Sequence, residues 1–149
     1  MEILTAVPSD IPELCRLLDT LFSQETEFKP DAEMQALGLG AIIEGDGIGD
    51  ILVAKDAGQI VGMVNLLYTI STALGSRVAI LEDMVVAPQS RGLGIGSALL
   101  KYAIDFAREK GCKRITLLTD NDNEAAHRFY EQHGFIESSM LAFRLSLDV

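Results

Sequence analysis

Residues 89–97 read QSRGLGIGS, a turn with glycine at three alternate positions. The apolar, β-branched run Val78–Val86 before it predicts a strand, and Gly94–Lys110 after it predicts an amphipathic helix. A strand, a glycine-dense turn and a helix N-terminus form an anion cradle, because amide N–H groups and the helix dipole favour negative charge. Arg91 adds a forked donor, so this unit predicts a phosphate site. The alternative is a tight connection whose glycines only relieve crowding.

The spacing of these glycines excludes two common nucleotide-binding motifs. A P-loop needs GxxxxGK[ST], and no lysine follows Gly92 or Gly94 in that register. A dinucleotide fingerprint needs GxGxxG early in a strand–helix–strand unit, whereas this turn lies past the middle of the chain. The turn therefore matches neither of these two motifs.

Working outward from the turn, hydrophobic periodicity predicts a mixed sheet with helices on its faces. We assign the chain to the α/β class (α+β, mixed sheet) in the order β-α-α-β-β-β-α-β-α-β, as a single domain over residues 1–149. The other predicted elements are strand Ile3–Val7, a helix from Ser9 or Asp10 to Ser23, helix Asp31–Glu44, hairpin strands Asp50–Lys55 and Gln59–Tyr68, strand Lys113–Thr119, helix Asn123–His133 and closing strand Ala142–Leu147.

Charge separates the two halves of the chain. The net charge is −10, which argues against nucleic acid as a partner because phosphates require a basic face. Residues 1–75 carry 12 acids and 3 bases, whereas residues 76–149 carry 10 acids and 9 bases. The plain interpretation is solubility. The sharper one is that the first half faces a cation and the second half handles an anion.

Other sequence features concern location and metals. The uncharged stretch Ala57–Ser76 contains several polar residues and glycines, so paired strands explain it better than a membrane helix. Cys15 and Cys112 have no CxxC spacing, and the N-terminus lacks a basic signal region, so we expect a cytoplasmic protein. His127 and His133 belong to no metal-ligand pattern, so no metal is expected.

Two motifs resemble those of one enzyme superfamily. Residues 91–96 (RGLGIG) resemble the R/Q-x-x-G-x-G/A signature of the GNAT (Gcn5-related N-acetyltransferase) superfamily, which binds the coenzyme A pyrophosphate. The second family motif, N-x-x-A-x-x-[LF]-Y-x-x-x-G-F, is present as Asn123, Ala126, Phe129, Tyr130, Gly134 and Phe135. The resemblance implies the GNAT fold, acetyl-CoA as cosubstrate and acetyl transfer to an amine. Family members often dimerise, so a homodimer is an expectation too.

The resemblance also implies roles for individual residues. Tyr130 is expected beside the sulfur, as the acid that protonates the leaving thiolate, and Asn123 on the pantetheine arm. A main-chain N–H near Val85 would polarise the thioester carbonyl. The cosubstrate-binding set is Met84, Val85, Val86, Arg91, Gly92, Leu93, Gly94, Ile95, Gly96, Ser97, Asn123 and Ala126.

The acceptor side is less determined by the sequence. Glu82, through a water molecule, is the candidate general base, and Asp83 would then orient the amine; the reverse assignment, or no base at all, stays open. Residues 81–101 also resemble the diamine and polyamine acetyltransferase branch, and Glu25 and Glu27 are expected over the acceptor, which favours a small cationic amine. The alternatives are a non-catalytic acyl-CoA-binding or sensing domain, a nucleotide-binding module, and an acetyltransferase acting on a protein amine.

Overall fold

A computed structural model describes residues 1–25 and 29–148 of the chain. Its helices and strands are β1 (Glu2–Thr5), α1 (Ile11–Phe22), α2 (Ala32–Glu44), β2 (Gly49–Asp56), β3 (Gln59–Ser71), β4 (Ser76–Val86), α3 (Ile95–Glu109), β5 (Ile115–Leu117) and α4 (Glu124–Gln132). None of the helices in these residues is long and apolar enough to cross a membrane.

The five strands form one sheet in the order β1-β2-β3-β4-β5. The first three pairings are antiparallel, and β4 pairs with β5 in parallel. The predicted hairpin is present, with Asp56 paired to Gln59 across a two-residue turn. Ala57 and Gly58 both have positive φ, 50° and 79°, as a type I′ turn requires. The mixed sheet predicted from the sequence is therefore confirmed.

Alternation along the central strands gives the sheet two apolar faces. Leu52 and Val64 pack with Leu99 of α3 in one core cluster. Their neighbours in sequence, such as Val53 and Met63, pack on the opposite face in a cluster with residues of α1 and α2. The sheet is thus covered by α3 on one side and by the α1–α2 pair on the other.

The closing strand predicted at Ala142–Leu147 is wrong as an element of this structure. Residues 135–148 are described, but none of them belongs to a strand. The alternation of Phe143, Leu145 and Leu147 is the pattern of a half-buried strand, yet their side chains are 82–93% exposed. A strand requires a neighbouring strand to complete its backbone hydrogen bonds, and none of the described strands pairs with this segment. The observed order ends β-α instead of β-α-β.

Candidate active site

Strands β4 and β5 diverge after a short pairing. β5 pairs only with Ala79–Leu81, so from Glu82 to Val86 the β5 side of β4 has no strand neighbour among the described residues. An unpaired strand edge presents N–H and C=O groups that an extended ligand can use in place of another strand. The divergence therefore opens a gap between β4 and β5.

A cleft of about 460 Å³ occupies this gap and is called the donor cleft below. It brings together the glycine turn, the end of β4 and one face of α4. Every predicted cosubstrate residue except Leu93 lines it, and Leu93 is 73% exposed. The lining also includes Leu21, Gln24, Ser90 and Phe129, which sequence reasoning did not assign. Phe129 lies inside the second motif, so the sequence could have pointed to it. Leu21 and Gln24 come from the distant α1 region, and no sequence pattern connects them with this cleft.

The glycine turn has the geometry of an anion cradle. Gly92 and Gly94 both have φ of +80°, a region that side-chain-bearing residues adopt at a cost. Helix α3 begins at Ile95, and Gly94 provides no side-chain cap for its first amide groups. Arg91 is anchored nearby, since its Nε donates to the Val86 carbonyl at 3.1 Å. The first-turn N–H groups and the guanidinium are thus available to a phosphate-bearing ligand.

Two alanine substitutions should distinguish the effect of backbone conformation from the effect of the space available for a side chain in this turn. Gly94→Ala is expected to weaken acetyl-CoA binding roughly 5–30-fold, because an L-residue in the left-handed region costs about 1–2 kcal/mol and the turn must change shape. Gly96→Ala is the matched control: a Cβ there would meet Phe129 and Val86 at an ordinary 3.6 Å. Calorimetric titration of both variants tests this, and equal losses would contradict the conformational explanation.

Helix α4 presents an amide and a phenol to the donor cleft. Asn123 caps the helix, its Oδ1 accepting from the Ala126 N–H at 3.1 Å, which leaves the side-chain NH₂ group for a ligand. Tyr130 packs edge-on against Phe135, with ring centroids 5.6 Å apart. Burial raises the pKa of Tyr130 to about 12, so its hydroxyl remains protonated throughout the neutral range.

A β-bulge brings the two adjacent carboxylates to one site. Asn65 pairs with Asp83 and Leu66 with Leu81, so Glu82 is an extra residue in β4. In a regular strand the side chains of Glu82 and Asp83 would face opposite sides. Here both line a second cleft of about 370 Å³, called the acceptor cleft below. Its other lining residues are Leu18, Phe22, Lys29, Asp31, Met34, Gln35, Gly38, Leu39, Ile42, Asn65 and Leu67.

Asn65 is a polar residue of the acceptor cleft that sequence reasoning did not assign. It is 2% exposed, and its Nδ2 donates to Asp83 Oδ2 at 3.1 Å. Its Oδ1 is buried without a hydrogen-bond partner. A buried acceptor of this kind is costly unless a ligand or water satisfies it. The sequence feature that could have pointed to Asn65 is its single amide side chain within the apolar strand IVGMVNLLY.

Asp83 lies in an environment that disfavours its negative charge. Burial is the main cause of its raised pKa, and the nearby charge of Glu82 acts in the same direction. The hydrogen bond from Asn65 acts against them, by stabilising the ionised carboxylate. A cation entering the acceptor cleft would relieve this cost, because an opposite charge favours the ionised carboxylate.

The remaining candidates from the sequence are two glutamates and two histidines. Glu25 lines neither cleft, and Glu27 falls outside the described residues. The rings of His127 and His133 form hydrogen bonds with the backbone carbonyls of Asp120 and Phe129, at 2.9 and 2.8 Å. Within residues 1–25 and 29–148, no three His, Cys, Asp or Glu side chains are grouped to hold a metal ion.

Comparison with known proteins identifies the family. The acetyltransferase (GNAT) family matches residues 11–135, which is most of the chain. The fold, the divergent strands and the glycine turn therefore belong to a GNAT-type protein. The chain is a member of the GNAT acetyltransferase family.

Individual relatives share the fold and part of the sequence. An uncharacterised N-acetyltransferase of Bacillus subtilis, YhfO, is 38% identical over 89 residues, or 60% of each chain. The aminoalkylphosphonate N-acetyltransferase of Salmonella typhimurium is 35% identical over 54% of this chain and 53% of that protein. The chain thus matches between half and three fifths of the length of these curated relatives.

Solved structures match over nearly the whole chain. The structure of a transcriptional regulator from Bacillus halodurans superposes with a TM-score of 0.80 and 28% identity, covering 98% of this chain and 99% of that one. A soil-metagenome aminoglycoside acetyltransferase has a TM-score of 0.79 at 22% identity, covering 99% and 96% respectively. The second likeness shows the fold alone.

Proposed function

We propose that this protein is an acetyl-CoA-dependent N-acetyltransferase that moves the acetyl group directly to a small cationic primary amine. The observation that carries the proposal is the position of β4 between two clefts. Its residues Glu82 and Asp83 line the acceptor cleft, and the next three, Met84–Val86, line the donor cleft. An acyl donor and an acceptor would therefore meet along one strand, as direct transfer requires.

The donor cleft supports acetyl-CoA as the cosubstrate. The glycine turn and Arg91 would hold the pyrophosphate, and the unpaired edge of β4 together with the Asn123 amide would hold the pantetheine arm. A backbone N–H near Val85 would stabilise negative charge on the thioester oxygen as the amine adds. Tyr130 remains protonated because of its raised pKa, so its hydroxyl would donate to the sulfur as the C–S bond breaks.

The acceptor cleft supports a cationic amine with an apolar body. Leu18, Met34, Leu39 and other apolar side chains form most of its wall. Among its lining residues are three acids, against Lys29 as the one base. An ammonium group would supply both the countercharge that Asp83 lacks and the donor that Asn65 Oδ1 lacks. Glu82, exposed at the bulge, would accept the proton that the ammonium must lose before attack.

Ligand-induced stabilisation tests the proposed cosubstrate. Acetyl-CoA and CoA, each at about 100 times Kd, are expected to add about 2.7 kcal/mol to the free energy of unfolding. At this chain length the Tm should rise by roughly 5–10 °C. ATP and NAD at the same excess serve as controls. A shift with ATP or NAD alone would contradict acetyl-CoA and favour the nucleotide-binding alternative.

A panel of acceptor amines, assayed by the release of the CoA thiol, then distinguishes between the possible activities. An alkyl monoamine and a diamine should be acetylated, whereas an amino acid should react poorly because its carboxylate meets Glu82 and Asp83. Turnover with a lysine-bearing peptide alone would favour the protein-amine alternative. Binding of acetyl-CoA with no acceptor turned over would favour the non-catalytic sensing domain.

Both cysteines are free thiols, which supports the cytoplasm as the place of action.

A further inference from the structure

The amide side chain of Asn65 is buried on the face of β3 that packs toward α1 and α2. In the part of the chain that the structure describes, three other polar or charged side chains are buried, those of Asp10, Gln35 and Ser71. Each of these three forms hydrogen bonds with other protein groups. Among the same described residues, only Asn65 keeps a buried side-chain oxygen, Oδ1, without a partner. Because an orphaned buried acceptor is destabilising, this atom points to a ligand.

The neighbouring carboxylate fixes the orientation of this amide. Asn65 is the cross-strand partner of Asp83, and its Nδ2 donates to Asp83 Oδ2 at 3.1 Å. An ionised carboxylate can only accept, so it holds the NH₂ group toward itself and leaves Oδ1 as the free atom. Asn65, Asp83 and the bulged Glu82 all line the acceptor cleft. The cleft therefore groups one amide oxygen with two carboxylates, and all three are hydrogen-bond acceptors.

A primary ammonium group matches these three acceptors, because it carries a positive charge and three N–H donors. Its N-methyl counterpart has only two donors. If the methyl group faces Asn65 or Asp83, a buried acceptor stays unpaired. If it faces Glu82, that base finds no proton to remove. A polar pocket rejects an analogue that lacks one of the donors it is built to bind, so this cleft should distinguish amines by their number of N–H bonds.

We propose that Asn65 is a specificity-determining residue of the acceptor cleft: its Oδ1 accepts one N–H of the substrate amine and so selects primary amines over their N-methyl counterparts. This inference rests on the proposed acetyl transfer. Glu82 takes one proton of the ammonium, and the two remaining N–H bonds donate to Asn65 and Asp83, which fixes the direction of the nitrogen lone pair. The C–N bond then forms as the C–S bond breaks. A second proton leaves the nitrogen and balances the CoA thiol, so one N–H remains in the amide product.

Steady-state kinetics with butylamine and N-methylbutylamine test this role, because the two amines differ by one methyl group on nitrogen. The wild-type enzyme should have the higher kcat/KM with butylamine. Asn65→Val removes the amide, suits a strand and gives the methyl group an apolar surface to contact. The ratio of the two kcat/KM values should fall about 10–100-fold in this variant, which is the usual effect of one hydrogen bond to a charged group.

Ser71→Ala is the matched control for this substitution. It removes another buried polar group from β3 but lies outside both clefts, so it should keep the wild-type ratio. A ratio in Asn65→Val equal to that of the wild type would overturn the proposal, because Oδ1 would then take no part in reading the amine. A wild-type enzyme that uses both amines equally well would overturn it too, whether or not the variant folds.

An NMR titration separates this inference from the proposed function. The side-chain NH₂ signal of Asn65, assigned by its loss in Asn65→Val, should shift when butylammonium is added to the protein. Butyltrimethylammonium, which has the same charge and chain but no N–H donor, should leave the signal in place. A selective shift without any acetyl transfer would support the role of Asn65 and contradict the proposed function. Acetylation of butylamine with no shift, or equal shifts with both cations, would overturn the role of Asn65 alone.

Discussion

Replacing Tyr130 with phenylalanine is expected to lower kcat on the order of 10²–10³-fold, with little change in acetyl-CoA affinity. Phenylalanine keeps the ring that packs against Phe129 and Phe135 at 5.2 and 5.6 Å, so the loss is confined to the hydroxyl. The measurement is steady-state kinetics with acetyl-CoA and a saturating amine. The effect falls on kcat because the hydrogen bond to sulfur strengthens only as the thiolate forms.

The raised pKa of Tyr130 determines what its hydroxyl does. A thiol has a pKa of roughly 8.5, well below the value of about 12 for Tyr130, so complete transfer of the phenol proton to the thiolate is uphill. Tyr130 therefore stabilises the departing sulfur as a donor, and the proton released by the amine nitrogen balances the reaction. The loss in Tyr130→Phe should consequently be the same at every pH between about 6 and 9.

Tyr102→Phe is the matched control for this substitution. Tyr102 lies on α3, is 43% exposed and lines neither cleft, so its variant should keep the wild-type kcat. Unchanged turnover in Tyr130→Phe would remove Tyr130 from the mechanism. A rise in KM for acetyl-CoA at constant kcat would assign it to binding instead.

Local patterns in the sequence predicted the glycine turn and the α4 face that line the donor cleft, but not Leu21 and Gln24. Gly92, Gly94, Asn123 and Tyr130 lie within two short segments whose spacing fixes a turn and a helix face. Such features depend on neighbours within a few residues, so sequence carries them almost completely. The hairpin at Ala57-Gly58 was predictable for the same reason.

Features that depend on pairing between distant segments were not predictable in this way. Glu82 is bulged because of how β3 aligns with β4, and no local pattern encodes that register. The burial of Asn65 follows from the same alignment. For Ala142–Leu147 the alternation predicted a strand that the structure does not contain, because a strand forms only where a partner edge is available. The sequence thus indicates the strand propensity of this segment but not the strand edge with which it would pair.

The second large effect concerns the bulged carboxylate. Replacing Glu82 with glutamine is expected to lower kcat/KM on the order of 10²-fold or more at pH 7, with a loss that shrinks as pH rises. An alkylamine with a pKa of about 10.4 is neutral in roughly one molecule in 2,500 at pH 7. The wild-type enzyme can bind the abundant ammonium and deprotonate it in the site, whereas the variant depends on the rare neutral form. Its kcat/KM should therefore rise about tenfold per pH unit, while the wild-type profile stays flat.

Two further variants determine what the pH profile of Glu82→Gln means. Glu109→Gln, at the exposed end of α3 and outside both clefts, changes the same chemical group and should keep the flat profile.

Asp83→Asn should raise KM for cationic amines and retain a flat kcat, because its carboxylate would bind the ammonium without removing its proton. A tenfold-per-unit slope in Asp83→Asn, with a uniform loss in Glu82→Gln, would reverse the two roles. The raised pKa of Asp83 makes that reversal chemically reasonable, since a more basic carboxylate is a better proton acceptor. Glu82 is assigned as the base because of its position: it is the exposed member of the pair, and a proton removed from the amine must reach solvent.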